Sequence, residues 1–232
     1  MGPLAAALIV TAVAYGRPGL KEWGQRIVRW RVGWQWYAVA IGIPLAVMAA
    51  IVGLNFALGA PTSALDELDP WYSLILIFLL RLVVPVFAPV GEEPGWRGFA
   101  LPHLHVDRSP LEATLILAPL VALWHVPLIF IPAEDFHPAQ LISTVAVTFF
   151  YTWLFCNASG SVLLTILAHA AEGTIRLSEF EFSGADETRV FWLQAVVWCT
   201  VAASLLVFDW RFWRRELEAD SDAVRRVEVA PA

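Results

Sequence analysis

A chain of 232 residues that is 59% hydrophobic, 16% charged and net −6 at pH 7 falls outside the soluble norm of about 45–50% apolar and about 25% charged residues. The acidic balance argues against a nucleic-acid partner, and two cysteines in apolar runs, Cys156 and Cys199, give neither a disulfide framework nor zinc-knuckle spacing. The length suits one large domain or one helical membrane bundle; segment lengths select the bundle, because a spanning helix needs roughly 20 apolar residues.

In chain order, the first apolar segment covers residues 2–15 and is short for a crossing. Ala12-Val13-Ala14 resembles a signal-peptide cleavage site, but no basic residue precedes the segment. We read it as a first helix cut short by the choice of start codon. Longer segments follow at 36–58, 71–90, 111–131, 139–156, 161–176 and 190–208. The expectation is an all-α, polytopic membrane bundle of about seven transmembrane helices, the first short. Residues 1–70 would form N-terminal membrane helices with a basic loop, 71–208 the core, and 209–232 a polar cytoplasmic tail.

Charge in the loops sets an orientation. Arg17, Lys21, Arg26, Arg29 and Arg31 follow the first segment, Arg97 and Arg108 follow the third, and Arg211, Arg214, Arg215, Arg225 and Arg226 fill the tail. Alternate loops carry Asp66, Glu67 and Asp69, then Glu134 and Asp135, then Glu179, Glu181, Asp186 and Glu187, with Arg189 their one basic residue. Retention of basic loops in the cytoplasm predicts an outside N-terminus and a cytoplasmic tail in a cell membrane. Trp34, Trp36, Trp71, Trp192 and Trp210 near segment ends suit an interfacial belt.

Against this background the stretch FAPVGEEPGWRGFALP, residues 87–102, is chemically odd. By itself it reads as the opening of a cytoplasmic helix. Pro94 and the acidic pair would suit the first turn, and Glu93 with Arg97 would form an ordinary surface pair. The rest of the chain argues for more. His125 in LVALWHVPLIF and His169 in LLTILAHAAEG lie inside apolar runs, and ionisable groups at membrane depth mark functional sites by default. His103, His105 and His137 stand beside prolines or charges and read as solvated.

A carboxylate and an imidazole sharing a water can withdraw its proton as it attacks a carbonyl, and a second imidazole can donate to the oxyanion that develops. Arg97 would hold Glu93 ionised through a charge-assisted bond. Pro85, Pro89, Pro94 and Gly95 would interrupt the third segment, leaving irregular backbone of the kind tolerated where it lines a cavity. Glu92, His125 and His169 could equally bind a divalent metal such as zinc; no HExxH is present, so the metal reading stays open.

EEPGWR fits the pattern EExxxR, WHVP carries the histidine of a second motif, and SGSVLLTILAHAAEG resembles a third. Together, over about residues 71–175, they resemble the CPBP (ABI) family of intramembrane proteases, which includes the CAAX prenyl endopeptidases. The resemblance implies that Glu92 and His125 activate water, that Glu93 and Arg97 support them, and that His169 helps stabilise the oxyanion. Two departures stand out: Val121 replaces an aromatic residue four before His125, and Gly173 replaces an Asn four after His169.

The expectation is therefore an endopeptidase hydrolysing membrane-associated proteins or peptides, prenylated CAAX-type proteins among them, with its site open to the cytoplasm. The alternatives are a catalytically impaired family member acting as a membrane scaffold or immunity factor, and a small proton-coupled transporter using the same groups as a relay.

Overall fold

The computed structural model describes residues 1–63, 70–131 and 136–215, and among these every regular element is helical. The acidic residues Asp66, Glu67, Asp69, Glu134 and Asp135 and the tail arginines Arg225 and Arg226 lie outside the described residues.

The first helix is longer than the apolar segment that announces it. α1 runs Gly2–Ile27, bending at Gly16 (φ 59°, ψ −152°) just before Pro18. Arg17, Lys21 and Arg26 therefore belong to a helix, not to a loop. α2 is Trp34–Ala57. The expected span at 71–90 is not one helix: α3 covers Ser73–Val83, a 3₁₀ turn covers Pro85–Phe87, and α4 starts afresh at Pro89–Gly95. Proline without an N–H cannot extend the ladder of the preceding turn, and Ala88 sits between the two at φ 73°, a region that L-residues rarely occupy. Beyond Gly95 the helix widens into a π turn, Trp96–Ala100, before α5, Leu101–Leu104.

α6, Pro110–His125, begins at a capping box: Ser109 accepts from Glu112 N while the Glu112 side chain accepts from Ser109 N. Such a box satisfies two of the orphan donors of the first turn. A 3₁₀ turn, Val126–Phe130, continues it. α7 is Gln140–Asn157, α8 is Val162–Glu172 with Ser161 as its N-cap, α9 is Ala185–Phe208 and α10 is Trp210–Arg214.

Among the described residues four stretches are long and apolar enough to cross a membrane: α1, α2, Pro110–Phe130 and α9. α3 and α8 are apolar but stop at 11 residues. About seven transmembrane helices were expected, the first short; the break at residues 84–88 and the end of α8 at Glu172 account for two of the three segments outside these four, and the third is α7 with 18 residues. Leu76, Leu79, Leu120, Leu123, Val196 and Val207 point outward, as suits helices whose solvent is lipid. The molecule is a polytopic helical membrane bundle.

The main core forms where α7 packs on α9, with α2 and α8 alongside, around Ile51, Phe150, Leu154, Leu164 and Trp198. It extends past residue 208, because Phe212 and Trp213 of α10 are buried in it. A second cluster, Leu101, Leu117, Phe155 and Val162, joins α5, α6, α7 and α8.

α1 braces the stretch that carries the acidic pair. Trp23 donates its indole N–H to Pro94 O at 2.9 Å, and Arg26 donates to Gly98 O at 3.4 Å. The contact is close: a Cβ at Gly95 would collide with the Pro3 backbone. Gly95→Val should therefore separate α1 from α4 and cost about 1–3 kcal/mol, read as a lower Tm in detergent. Gly24→Ala, where a Cβ meets open space, should not lower Tm and should raise it slightly, Ala being the better helix former by about 1 kcal/mol.

Candidate active site

Adjacent residues on a helix point about 100° apart, and this separates the roles of the two glutamates. Glu93 faces the bundle interior and is 0% exposed; Glu92 is 7% exposed and lines a cavity. The surface-pair reading of Glu93 and Arg97 therefore fails, since Arg97 is itself 1% exposed.

Glu93 Oε1 accepts from Arg97 Nη1 at 3.0 Å and from His169 Nδ1 at 2.9 Å. The Arg97 contact is a single bond, not a two-pronged one. Its guanidinium instead lies over the Tyr151 ring, 4.9 Å from the centroid. Tyr151 also stacks on His169 at 5.7 Å, so one aromatic ring of α7 sets the planes of both partners. The π turn carries Arg97, in keeping with the frequent siting of such turns at functional positions.

Glu92 Oε1 accepts from Trp124 Nε1 at 3.1 Å. Its Oε2 stands 3.9 Å from His125 Nε2, beyond direct hydrogen-bond range. His125 Nδ1 lies 2.8 Å from Val121 O. A carbonyl can only accept, so Nδ1 carries the proton and, in the neutral ring, Nε2 presents a lone pair. Glu92 Oε2 and His125 Nε2 are thus two acceptors facing each other. A water about 2.8 Å from each would subtend roughly 90°, close to its own bond angle.

The cavity between them has a volume of about 140 Å³ and includes Glu92, Arg97, His125, Tyr151, His169 and Gln194 in its wall. The structure therefore brings all five sequence-predicted site residues together, with Glu93 immediately behind the wall. Among the described residues no three His, Cys, Asp or Glu side chains converge as a metal-ligand set. Of the three candidates Glu92, His125 and His169, the last commits Nδ1 to Glu93.

Residues 71–175 match the family model described as type II CAAX prenyl endopeptidase, Rce1-like. Over 190 residues the chain is 24% identical to CAAX prenyl protease 2 of Methanococcus maripaludis, an alignment that covers 76% of this chain and 68% of the relative. Over this core the chain is similar to the CAAX protease (CPBP) family. With its apolar helices, the chain is a multi-pass membrane protein.

Sequence reasoning missed Trp124 and Tyr151. A polar tip on an aromatic residue inside an apolar run was the available signal, since buried Trp and Tyr usually direct that tip to a partner. It also misjudged three histidines read as solvated. His105 is buried at 3% exposure. His103 is half-buried and within hydrogen-bond distance of Phe99 O and the Tyr15 hydroxyl. His137 stacks on Phe191 at 5.0 Å. Neighbouring prolines and charges say nothing about which elements later pack against a loop.

The Glu93–Arg97 pair generates a stability prediction. Removing one partner of a buried pair leaves an uncompensated charge, at a cost of about 3–5 kcal/mol. Arg97→Leu should lose that much in reversible unfolding. Arg97→Lys should lose less, because an ammonium can restore the single bond to Glu93 but not the flat contact with Tyr151.

Proposed function

We propose that the chain is an intramembrane endopeptidase that hydrolyses membrane-associated proteins through a water activated by Glu92 and His125. The observation that carries this reading is the 3.9 Å gap between two acceptors on α4 and α6, facing a small polar cavity inside an apolar bundle. As the water oxygen bonds to the scissile carbonyl carbon, its proton passes to the Glu92–His125 pair. The same pair returns that proton to the amide nitrogen as the C–N bond breaks. His169 lines the cavity with Nε2 free of the bond that occupies Nδ1; the Glu93 carboxylate beside Nδ1 compensates the charge of a doubly protonated ring, the form in which Nε2 donates to the oxyanion. Arg97 acts through Glu93 as a positioning residue.

The CAAX prenyl endopeptidase match supports prenylated proteins bearing a C-terminal C-a-a-X sequence as the substrate class. The basic residues around Arg29, Arg31, Arg108 and Arg215 support a site opening toward the cytoplasm. Each of these steps runs on the chain's own side chains; Glu92, His125 and His169 are the residues that would hold a divalent cation such as zinc, which would supply Lewis-acid activation of the same water.

Comparing the proteomes of membranes containing wild type or Glu92→Ala would supply a confirmed substrate. On that substrate, Glu92→Gln should slow cleavage roughly 10²–10⁴-fold, the range of a general base, with Tm unchanged. A wild-type rate in Glu92→Gln would rule the mechanism out. Added chelator should leave wild-type turnover intact; a loss restored by zinc would assign Glu92 and His125 to a metal instead. The orientation has its own check. A cysteine placed near Asp66 should react with an impermeant reagent from outside intact cells and one near Arg215 should not, and labelling of both from one side would refute the proposed topology.

A further inference from the structure

Gly173 ends α8, and a Cβ built there would collide with the guanidinium of Arg81, which reaches over from α3. The missing side chain is the space in which Arg81 lies. Arg81 Nη2 stands 3.5 Å from His169 O, and its buried Nε has no hydrogen-bond partner among the described residues. None of the ion pairs among the described residues includes Arg81. Glu172 is its nearest counter-charge in effect, and Arg176 opposes it.

The Arg81 cation is half-buried. With Arg176, Glu172, Gln140 and Gln194 it lines a cavity of about 500 Å³. Phe136, Gln140, Glu172 and Gln194 line both this cavity and the smaller one holding Glu92 and His125. A chain bound at the water-activating pair can thus continue into a chamber whose wall carries two cations and one carboxylate. A guanidinium with unused donors in a fixed fork matches a carboxylate.

We propose that Arg81 binds the free C-terminal carboxylate of the substrate, a few residues beyond the scissile bond. The proposal rests on the peptidase reading and deepens it by adding a specificity determinant: cleavage would be measured inward from the chain end. An extended residue spans about 3.3–3.6 Å, so the three residues after the cysteine of a C-a-a-X end would carry the carboxylate about 10 Å from the cut.

The test uses the full chain carrying Glu92→Gln, in phosphatidylcholine nanodiscs, and a fluorescent farnesylated peptide ending in C-a-a-X as free acid or C-terminal amide. Anisotropy should show the acid binding at least about tenfold more tightly, the strength of one bond to a charged group. Adding Arg81→Gln should bring the acid down to the affinity of the amide while leaving the amide unchanged, which verifies folding. Arg81→Lys should retain part of the preference. Equal affinity for acid and amide with Arg81 in place, or a preference that survives Arg81→Gln, would overturn the proposal. Because binding is read without turnover, failure here is distinct from failure of the hydrolytic mechanism.

Discussion

A carboxylate with no exposure to solvent is tolerable only where charge and hydrogen bonds replace its water, and Glu93 imposes that condition on everything around it. Its two partners come from different directions, Arg97 from the next turn of the same helix and His169 from α8. The guanidinium in turn needs a flat neighbour, which α7 supplies as Tyr151. One buried charge thereby fixes α4, α7 and α8 relative to each other, and the ring of His169 is oriented before any substrate arrives. This is preorganisation in a literal sense, with the cost of arranging the groups met during folding.

Glu92 gains its different character from helix phase alone. One residue earlier on the same turn, it meets Trp124 and His125 from α6 instead of an arginine. For that turn to sit where three helices converge, the chain has to restart a helix in the middle of the bundle. The break at 84–88, with Pro85 inside it and Pro89 directly after it, accomplishes this, and its irregular backbone is admissible because Val86, Phe87 and Ala88 border a cavity. Carbonyls beyond the break are met by Trp23 and Arg26 of α1.

What was legible in the sequence is what repeats locally or stands out chemically. Apolar runs identified the bundle, and ionisable groups in or beside those runs, conspicuous against hydrocarbon, singled out Glu92, Glu93, Arg97, His125 and His169, which the fold gathers around one cavity. The parts that were not legible depend on contacts distant in sequence. Hydropathy reads 71–90 as one span, yet a positive φ at Ala88 turns the chain without changing its polarity. The burial of His105 and the stacking of Arg97 on Tyr151 arise from neighbours that no local pattern names. The structure also changes the meaning of Gly173. As a sequence feature it is a lost side chain; in the fold it is occupied ground.

That occupation has an electrostatic reason. Gly173 is the C-cap of α8, with its N–H bonded to His169 O at 3.2 Å, so glycine here does not bear the helix-interior penalty that it would a turn earlier. The last carbonyls of a helix lack intrahelical donors and carry the negative end of its dipole. Arg81 arrives at that end and donates to the same carbonyl of His169. A cation held by a helix terminus instead of an ion-paired carboxylate is stabilised in place without being neutralised. Its remaining donors, the orphaned Nε among them, stay available to an incoming anion. Gly173 and the cation that fills its place are therefore one feature, joining the end of α8 to the chamber beyond Glu92 and His125.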